Sequence, residues 1–269
     1  MQSHFSLIEV FDDPSQGFKG NTSTVVWLEK EPDAASMQAI AADFNQPATT
    51  FLWSEDKSSA SEFRVRWFAP DAEIGLCGHG SLAAIVYLSI QRSVKGTITL
   101  YFPEGQLQGE MQEGGKCSII LDAIPVLSED KIPEVLEAGL GIPVKAYYAT
   151  TNKHIVVVES EESLKNMKPN FAKLRESAAF GYAVTAPGDE VDFVSRTLVP
   201  HVQQLEDPAT GSSHAALAPF WGKKLEKKRM VGHQLSKRGG KFACELVEGD
   251  RVILSGQFNI LAEGKLKQE

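Results

Sequence analysis

Cysteine is scarce in this chain. It has three, Cys77, Cys117 and Cys244, with no Cys-x-x-Cys pair. An odd, scattered set frames neither a disulfide-stapled fold nor a zinc knuckle, so no metal site is expected. Long hydrophobic runs are missing as well. The longest, Leu82–Leu88, falls far short of the roughly 20 residues of a membrane span. Met1–Asp13 alternates as a strand does and has no basic segment leading into an apolar one, so no secretory signal is read and a cytoplasmic location is expected. Positive charge is in deficit, with 27 Lys and Arg against 35 Asp and Glu and a formal net charge of −8. That balance argues against nucleic acid and anionic membranes as partners. The one basic run, Lys223–Arg229, follows an apolar helix, where lysines complement the dipole's negative end.

What the chain does have is 42% hydrophobic and 23% charged residues over 269 positions, enough for two ordinary domains or one large one. Its organising stretch is Arg66–Leu88. It reads as a strand end, a Pro-Asp-Ala turn, and a Cys77-Gly78-His79-Gly80 elbow opening an apolar helix. A helix start exposes backbone N–H groups and the positive dipole end, which suits an anion. The elbow glycines allow close approach to the main chain, and Cys77 lies where a thiol is acidified. A second copy lies 130 residues further on: Arg196-x-Leu198-x-Pro200, then a Gly-containing elbow and an Ala/Leu-rich helix. A period of half the chain is the mark of a duplicated domain, not of a solenoid.

Strands are expected at Phe5–Phe11, Thr22–Leu28, Thr49–Trp53, Glu62–Phe68, Thr97–Phe102, Leu107–Gln112 and Lys116–Leu121, with a polar turn at Ser54–Ser61. A helix should run from Pro32-Asp33 to Phe44. Ile124–Lys145, with three prolines and a helix at Pro133–Ala138, is the expected domain crossing. The second half then predicts strands at Lys153–Glu159, Phe180–Thr185, Asp192–Leu198, Lys241–Glu248, Arg251–Leu254 and Gln257–Leu261, and a helix near Phe171–Ser177. Pro219 should end or kink the second elbow helix. Both elbow helices are apolar nearly all round, which makes each a core element. Many short antiparallel strands around one buried helix, twice over, define an α+β fold without βαβ alternation. The expected domains are 1–122 and 123–256, with a strand at 257–269 returning to the first.

At these residues the chain resembles the PhzF-like family (phenazine-biosynthesis isomerase-like) of the diaminopimelate epimerase and proline racemase fold group. The matching pieces are Val10-Phe11-Asp12, Gly20-Asn21, Asn45 with Thr49-Thr50-Phe51, Arg66-x-Phe68-x-Pro70-x-x-Glu73 and Leu76-Cys77-Gly78-His79. Glu206-Asp207-Pro208-Ala209-Thr210-Gly211-Ser212 and Val252-x-x-x-Gly256-Gln257 complete the set. The resemblance implies two β-barrel domains, each around a central helix, with the active site between them. It also implies proton transfer without a cofactor, and a homodimer. Carried over by position, it makes His79 and Asp207 the candidate catalytic residues. Gly78, Gly80, Thr210, Gly211, Ser212 and Asn21 become the candidate binding residues for a small aromatic or amino acid-like carboxylate.

One departure is central. The family pattern Asn-x-Ser-Glu-Thr-x-Phe carries the general acid/base glutamate, and here Ala48 stands in its place. A methyl group cannot carry a proton, and losing such a group typically forfeits about 10²–10⁴ in rate. The racemase relatives use two cysteines, whereas the second elbow here has no thiol. Two readings therefore stay open: an isomerase in which Asp207 and His79 carry the proton, and a non-catalytic carboxylate-binding protein on the same scaffold. A third, weaker one makes a nucleophile pair of Cys77 with His79 or Ser212 with His214. Asp43 and Glu73 are the carboxylates to examine near Ala48.

Overall fold

The computed structural model of the protein describes residues 2–55 and 59–267. The middle of the expected Ser54–Ser61 turn (56–58), Met1 and the last two positions of the returning segment lie outside the described residues. In chain order the first elements are β1 (Gln2–Asp12), β2 (Asn21–Trp27), α1 (Ala34–Phe44), β3 (Ala48–Trp53), β4 (Glu62–Phe68), β5 (Glu73–Ile74), α2 (Gly78–Gln91), β6 (Ile98–Phe102), β7 (Gly105–Gln112) and β8 (Lys116–Asp122). There follow β9 (Val126–Asp130), α3 (Glu134–Leu140), β10 (Ala146–Thr150), β11 (His154–Val157), α4 (Glu161–Asn166), α5 (Phe171–Leu174), β12 (Tyr182–Pro187) and β13 (Phe193–Val199). The chain ends with β14 (Leu205–Asp207), α6 (Gly211–Leu225), β15 (Arg229–Gln234), β16 (Gly240–Val247) and β17 (Arg251–Lys267). Two compact units result. The first is residues 1–14, 19–121 and 255–269, and the second is residues 15–18 and 122–254.

In the first unit the strands close on themselves in the order β1-β2-β3-β4-β6-β7-β8-β17 and back to β1. This eight-stranded barrel wraps α2, whose residues from Gly78 to Leu88 are all buried. Strands β1, β2, β3 and β7 pack on the helix. Gly109 lets β7 come close, because a Cβ there would meet Ile85 Cγ1 at 2.8 Å. Outside the barrel, α1 buries Met37 and Ala41 against Val26, Phe51, Trp53 and Phe68. Asp33 caps α1, its side chain accepting from the Ser36 amide, as the sequence suggests.

The second unit repeats the succession. β10-β11-β12-β13-β15-β16 carries the same alternation of antiparallel and parallel pairs as β1-β2-β3-β4-β6-β7. The short β14 lies on β13 as β5 lies on β4. Here α6 is the buried helix, and α3, α4 and α5 form the outer layer through Leu136, Leu140, Leu164 and Leu174. The duplication is thus one of topology as well as of sequence.

Four sequence expectations change. First, the sheets are not purely antiparallel. Each unit holds two parallel pairs, β2–β3 and β4–β6 in one, β11–β12 and β13–β15 in the other. Parallel neighbours need a crossover, and helices supply it in each case. Second, β5, β9, β10, α4, β14 and β15 join the predicted elements. β9 is exposed throughout, so it has no apolar alternation to betray it. Third, Arg251–Leu254 and Gln257–Leu261 belong to one long strand, β17. Fourth, Pro219 does not end α6, which runs on to Leu225. Proline cannot donate to the carbonyl four residues back. That carbonyl, Ala215, accepts instead from the Ile124 amide at 3.0 Å.

At the end of β1, Asp12 is buried and its Oδ1 has no hydrogen-bond partner among the described residues. Burial first, then the charges of Glu9 and Asp13, raise its pKa from 3.8 to about 6. The folded state therefore holds this proton more tightly than the unfolded state, so stability from this group falls as pH rises from about 4 to about 6. Asp12→Asn should raise the melting temperature at pH 8, equivalent to about 1–2 kcal/mol after allowance for solvent screening, and leave it unchanged at pH 3. An equal gain at both pH values would contradict this.

Candidate active site

Each buried helix begins at an elbow held from behind by an ion pair. In the first unit the Arg66 guanidinium makes a two-pronged pair with Glu73, at 2.7 Å on each prong, across the β4–β5 turn. In the second, Arg196 does the same with Glu206 across β13–β14, at 2.8 and 2.9 Å. Paired forks of this kind fix geometry as well as charge. Glu73 is thereby committed, and Asp43 is exposed on α1.

Cys77 is the N-cap of α2, and its Sγ accepts from the Gly80 amide at 3.4 Å. His79 folds back, placing Nδ1 3.4 Å from the same sulfur, with both side chains buried. Gly80 fits only because it has no side chain. A Cβ would stand 2.6 Å from Trp67 Cδ1, 2.8 Å from Thr50 Oγ1 and 3.1 Å from the sulfur. Strand alternation puts Ala48 and Thr50 on one face of β3. Thr50 Oγ1 lies 2.8 Å from Ser23 Oγ and donates weakly to the Gly80 carbonyl at 3.4 Å, while Ser23 donates to the Ala48 carbonyl at 3.1 Å. Ala48 is fully buried in β3, beside this hydroxyl pair. Asn21 is also fully buried, and its Oδ1 accepts from the Thr22 amide at 3.0 Å.

In the second elbow Thr210 is the N-cap of α6, but its side chain makes no capping bond. Its hydroxyl instead donates to Asp207 Oδ2 at 2.7 Å. The buried Gln234 holds the loop, accepting from the Thr210 amide at 2.9 Å and donating to Thr210 Oγ1 at 3.1 Å. Ser212 accepts from Lys153 Nζ at 3.0 Å. By position in the two elbows, Thr210, Gly211 and Ser212 answer to Cys77, Gly78 and His79. Asp207 answers to Ile74, since each faces β4 or β13 at the same register.

The first unit thus gathers Gly78, His79 and Gly80 with Cys77, Thr50, Ser23 and Ala48. The second gathers Asp207, Thr210, Gly211 and Ser212 with Gln234 and Lys153. Neither Gln234 nor Lys153 shows in the sequence, where each is one polar residue at a strand end. His214 is not the partner of Ser212. Its Nδ1 faces the Thr210 carbonyl at 2.9 Å, its ring stacks on Phe242 at 3.5 Å, and burial drives its pKa down to about 3. The pair of Ser212 with His214 as nucleophile and base is set aside on this geometry. Burial also pushes the Cys117 and Cys244 thiols well above the ordinary range. Among the described residues no group of three or more His, Cys, Asp or Glu is placed to hold a metal ion. No helix there is long and apolar enough to cross a membrane.

Two units of one topology, each built on a buried helix with a clamped, glycine-containing elbow, define the diaminopimelate epimerase-like fold. A hydroxyproline epimerase from Agrobacterium vitis superposes with a TM-score of 0.63 at 10% identity, covering 98% of this chain and 92% of its own, which is a likeness of fold alone. The family described as phenazine biosynthesis-like protein matches residues 8–264, and the chain belongs to that family. A PhzF-family protein from Enterococcus faecalis, known from its crystal structure, is 34% identical and superposes over 100% of both chains with a TM-score of 0.91. A Pseudomonas aeruginosa protein named an uncharacterized isomerase is 33% identical over 270 residues, covering 99% of each chain.

The fit around Gly80 is open to a direct test. Gly80→Ala should lower stability by about 1–2 kcal/mol in urea unfolding, because overpacking outweighs the better helix propensity of alanine. A gain in stability would show that the elbow is looser than described.

Proposed function

We propose that the protein is an isomerase needing no cofactor, which moves a proton on a small carboxylate-bearing molecule. The observation that carries this reading is the paired elbow: two helix starts of one construction, one presenting His79, the other Asp207 and Ser212. Family membership and the isomerase named among the relatives support it. It is the family resemblance that assigns both elbows to one substrate.

In this reading the Gly211 amide and the Ser212 hydroxyl hold the carboxylate, and the Gly78 amide stabilises the negative charge that builds up as the carbon–hydrogen bond breaks. Gly80 and Thr210, whose donors go to Cys77, Gln234 and Asp207, brace the two elbows. His79 and Asp207 take the proton from one carbon and return it to another. The ring of His79 is held beside the Cys77 sulfur, and Asp207 is held by the Thr210 hydroxyl, so both have fixed directions.

Ala48 favours a second reading, in which the same elbows bind a carboxylate without turning it over. Incubation of the pure protein in deuterium oxide with β,γ-unsaturated acids and α-amino acids separates the two. The isomerase reading expects deuterium at carbon, reduced about 10²–10⁴-fold in His79→Ala or Asp207→Asn. Binding without exchange in the natural protein, with exchange appearing only in Ala48→Glu, would replace it with the second.

A further inference from the structure

The polar residue after the first elbow glycine is His79 in one unit and Ser212 in the other, and each is held against a neighbouring side chain. For His79 this is the Cys77 sulfur at 3.4 Å, for Ser212 the Lys153 ammonium at 3.0 Å. Lys153 comes immediately before β11 and is only 7% exposed. Its Nζ also donates to Asn152 Oδ1 at 2.9 Å and stands 5.2 Å from the Phe180 ring. By strand register its counterpart in the first unit is Ser23, a neutral hydroxyl. The charge is therefore a feature of the second copy.

The chemistry of this contact runs in one direction. An ammonium group has protons to give and no lone pair to accept with. Ser212 Oγ must accept from Lys153, so the hydroxyl proton of Ser212 is turned toward some other acceptor. A serine without that neighbour rotates freely and can present lone pairs to an approaching anion, which repels it. With Lys153 in place, Ser212 is set to donate, and its O–H is polarised by the nearby positive charge.

We propose that Lys153 is a positioning residue that fixes Ser212 as a hydrogen-bond donor to the substrate carboxylate. The proposal rests on the carboxylate-binding reading given above and does not need turnover. It assigns the carboxylate end of the ligand to the second elbow, the one with the added charge.

The test is calorimetric binding of benzoate and crotonate, each beside its neutral amide, to the natural protein, Lys153→Met, Ser212→Ala and the double variant. Each single variant should weaken the carboxylates about tenfold and leave the amides unchanged. The double variant should be no weaker than either alone, since Lys153 acts through Ser212. Losses that multiply to about a hundredfold, or equal losses for acid and amide, overturn the proposal. If Lys153→Met does not fold, the natural protein still decides. The Lys153 ammonium signal in nitrogen-15 NMR should shift with benzoate and not with benzamide, and an unmoved signal alongside measurable binding overturns the proposal. Failure of the natural protein to bind either acid overturns the proposal together with the reading beneath it, whereas binding without proton exchange leaves Lys153 in place and removes only the isomerase.

Discussion

A helix enclosed by sheet on every side can meet other molecules only at its ends. That constraint governs the first half of this protein, and the first turn of the buried α6 repeats it in the second. The flanks of α2 are spent on packing, with Leu82, Ile85, Val86 and Leu88 inaccessible to solvent. What remains is the first turn, where backbone N–H groups and the dipole's positive end are concentrated. The surrounding residues serve that turn. Arg66–Glu73 and Arg196–Glu206 clamp the incoming strands, and Gly80 lets the turn press against Trp67 and Thr50.

Duplication produced two such turns, and divergence then separated their chemistry. The first keeps a thiol and an imidazole in contact, backed by the Ser23–Thr50 hydroxyl pair. The second has a threonine whose hydroxyl holds a carboxylate, and a serine held by a lysine. Position 48 completes the contrast. Ala48 pairs with Ser23, and its counterpart in the second unit is Gly181, so at this place neither copy carries an ionisable side chain.

Much of this is legible in the sequence. The two helices announced themselves by being apolar on every face, and Arg66 and Arg196 marked the strands that enter them. Glycine-rich elbows and the EDPATGS segment carried the family. Elements with mixed polarity were not readable. β9 is exposed along its whole length, and β15, Arg-Met-Val-Gly-His-Gln, breaks its alternation with a glycine and a histidine. The run of α6 through Pro219 depends on the Ile124 amide reaching Ala215, a contact between positions 91 residues apart that no local pattern encodes. Lys153 and Gln234 escaped for the same reason. Their roles come from strand register, which brings them to an elbow far away in sequence.

The central proposal, which the family resemblance supplies, is that both helix starts receive one negatively charged guest. Backbone amide NMR of the natural protein during a benzoate titration measures this most directly, through Gly78 in one elbow and Gly211 in the other. The account predicts that both amides shift and that both follow a single dissociation constant. Movement of one alone, or two curves with different midpoints, would contradict it.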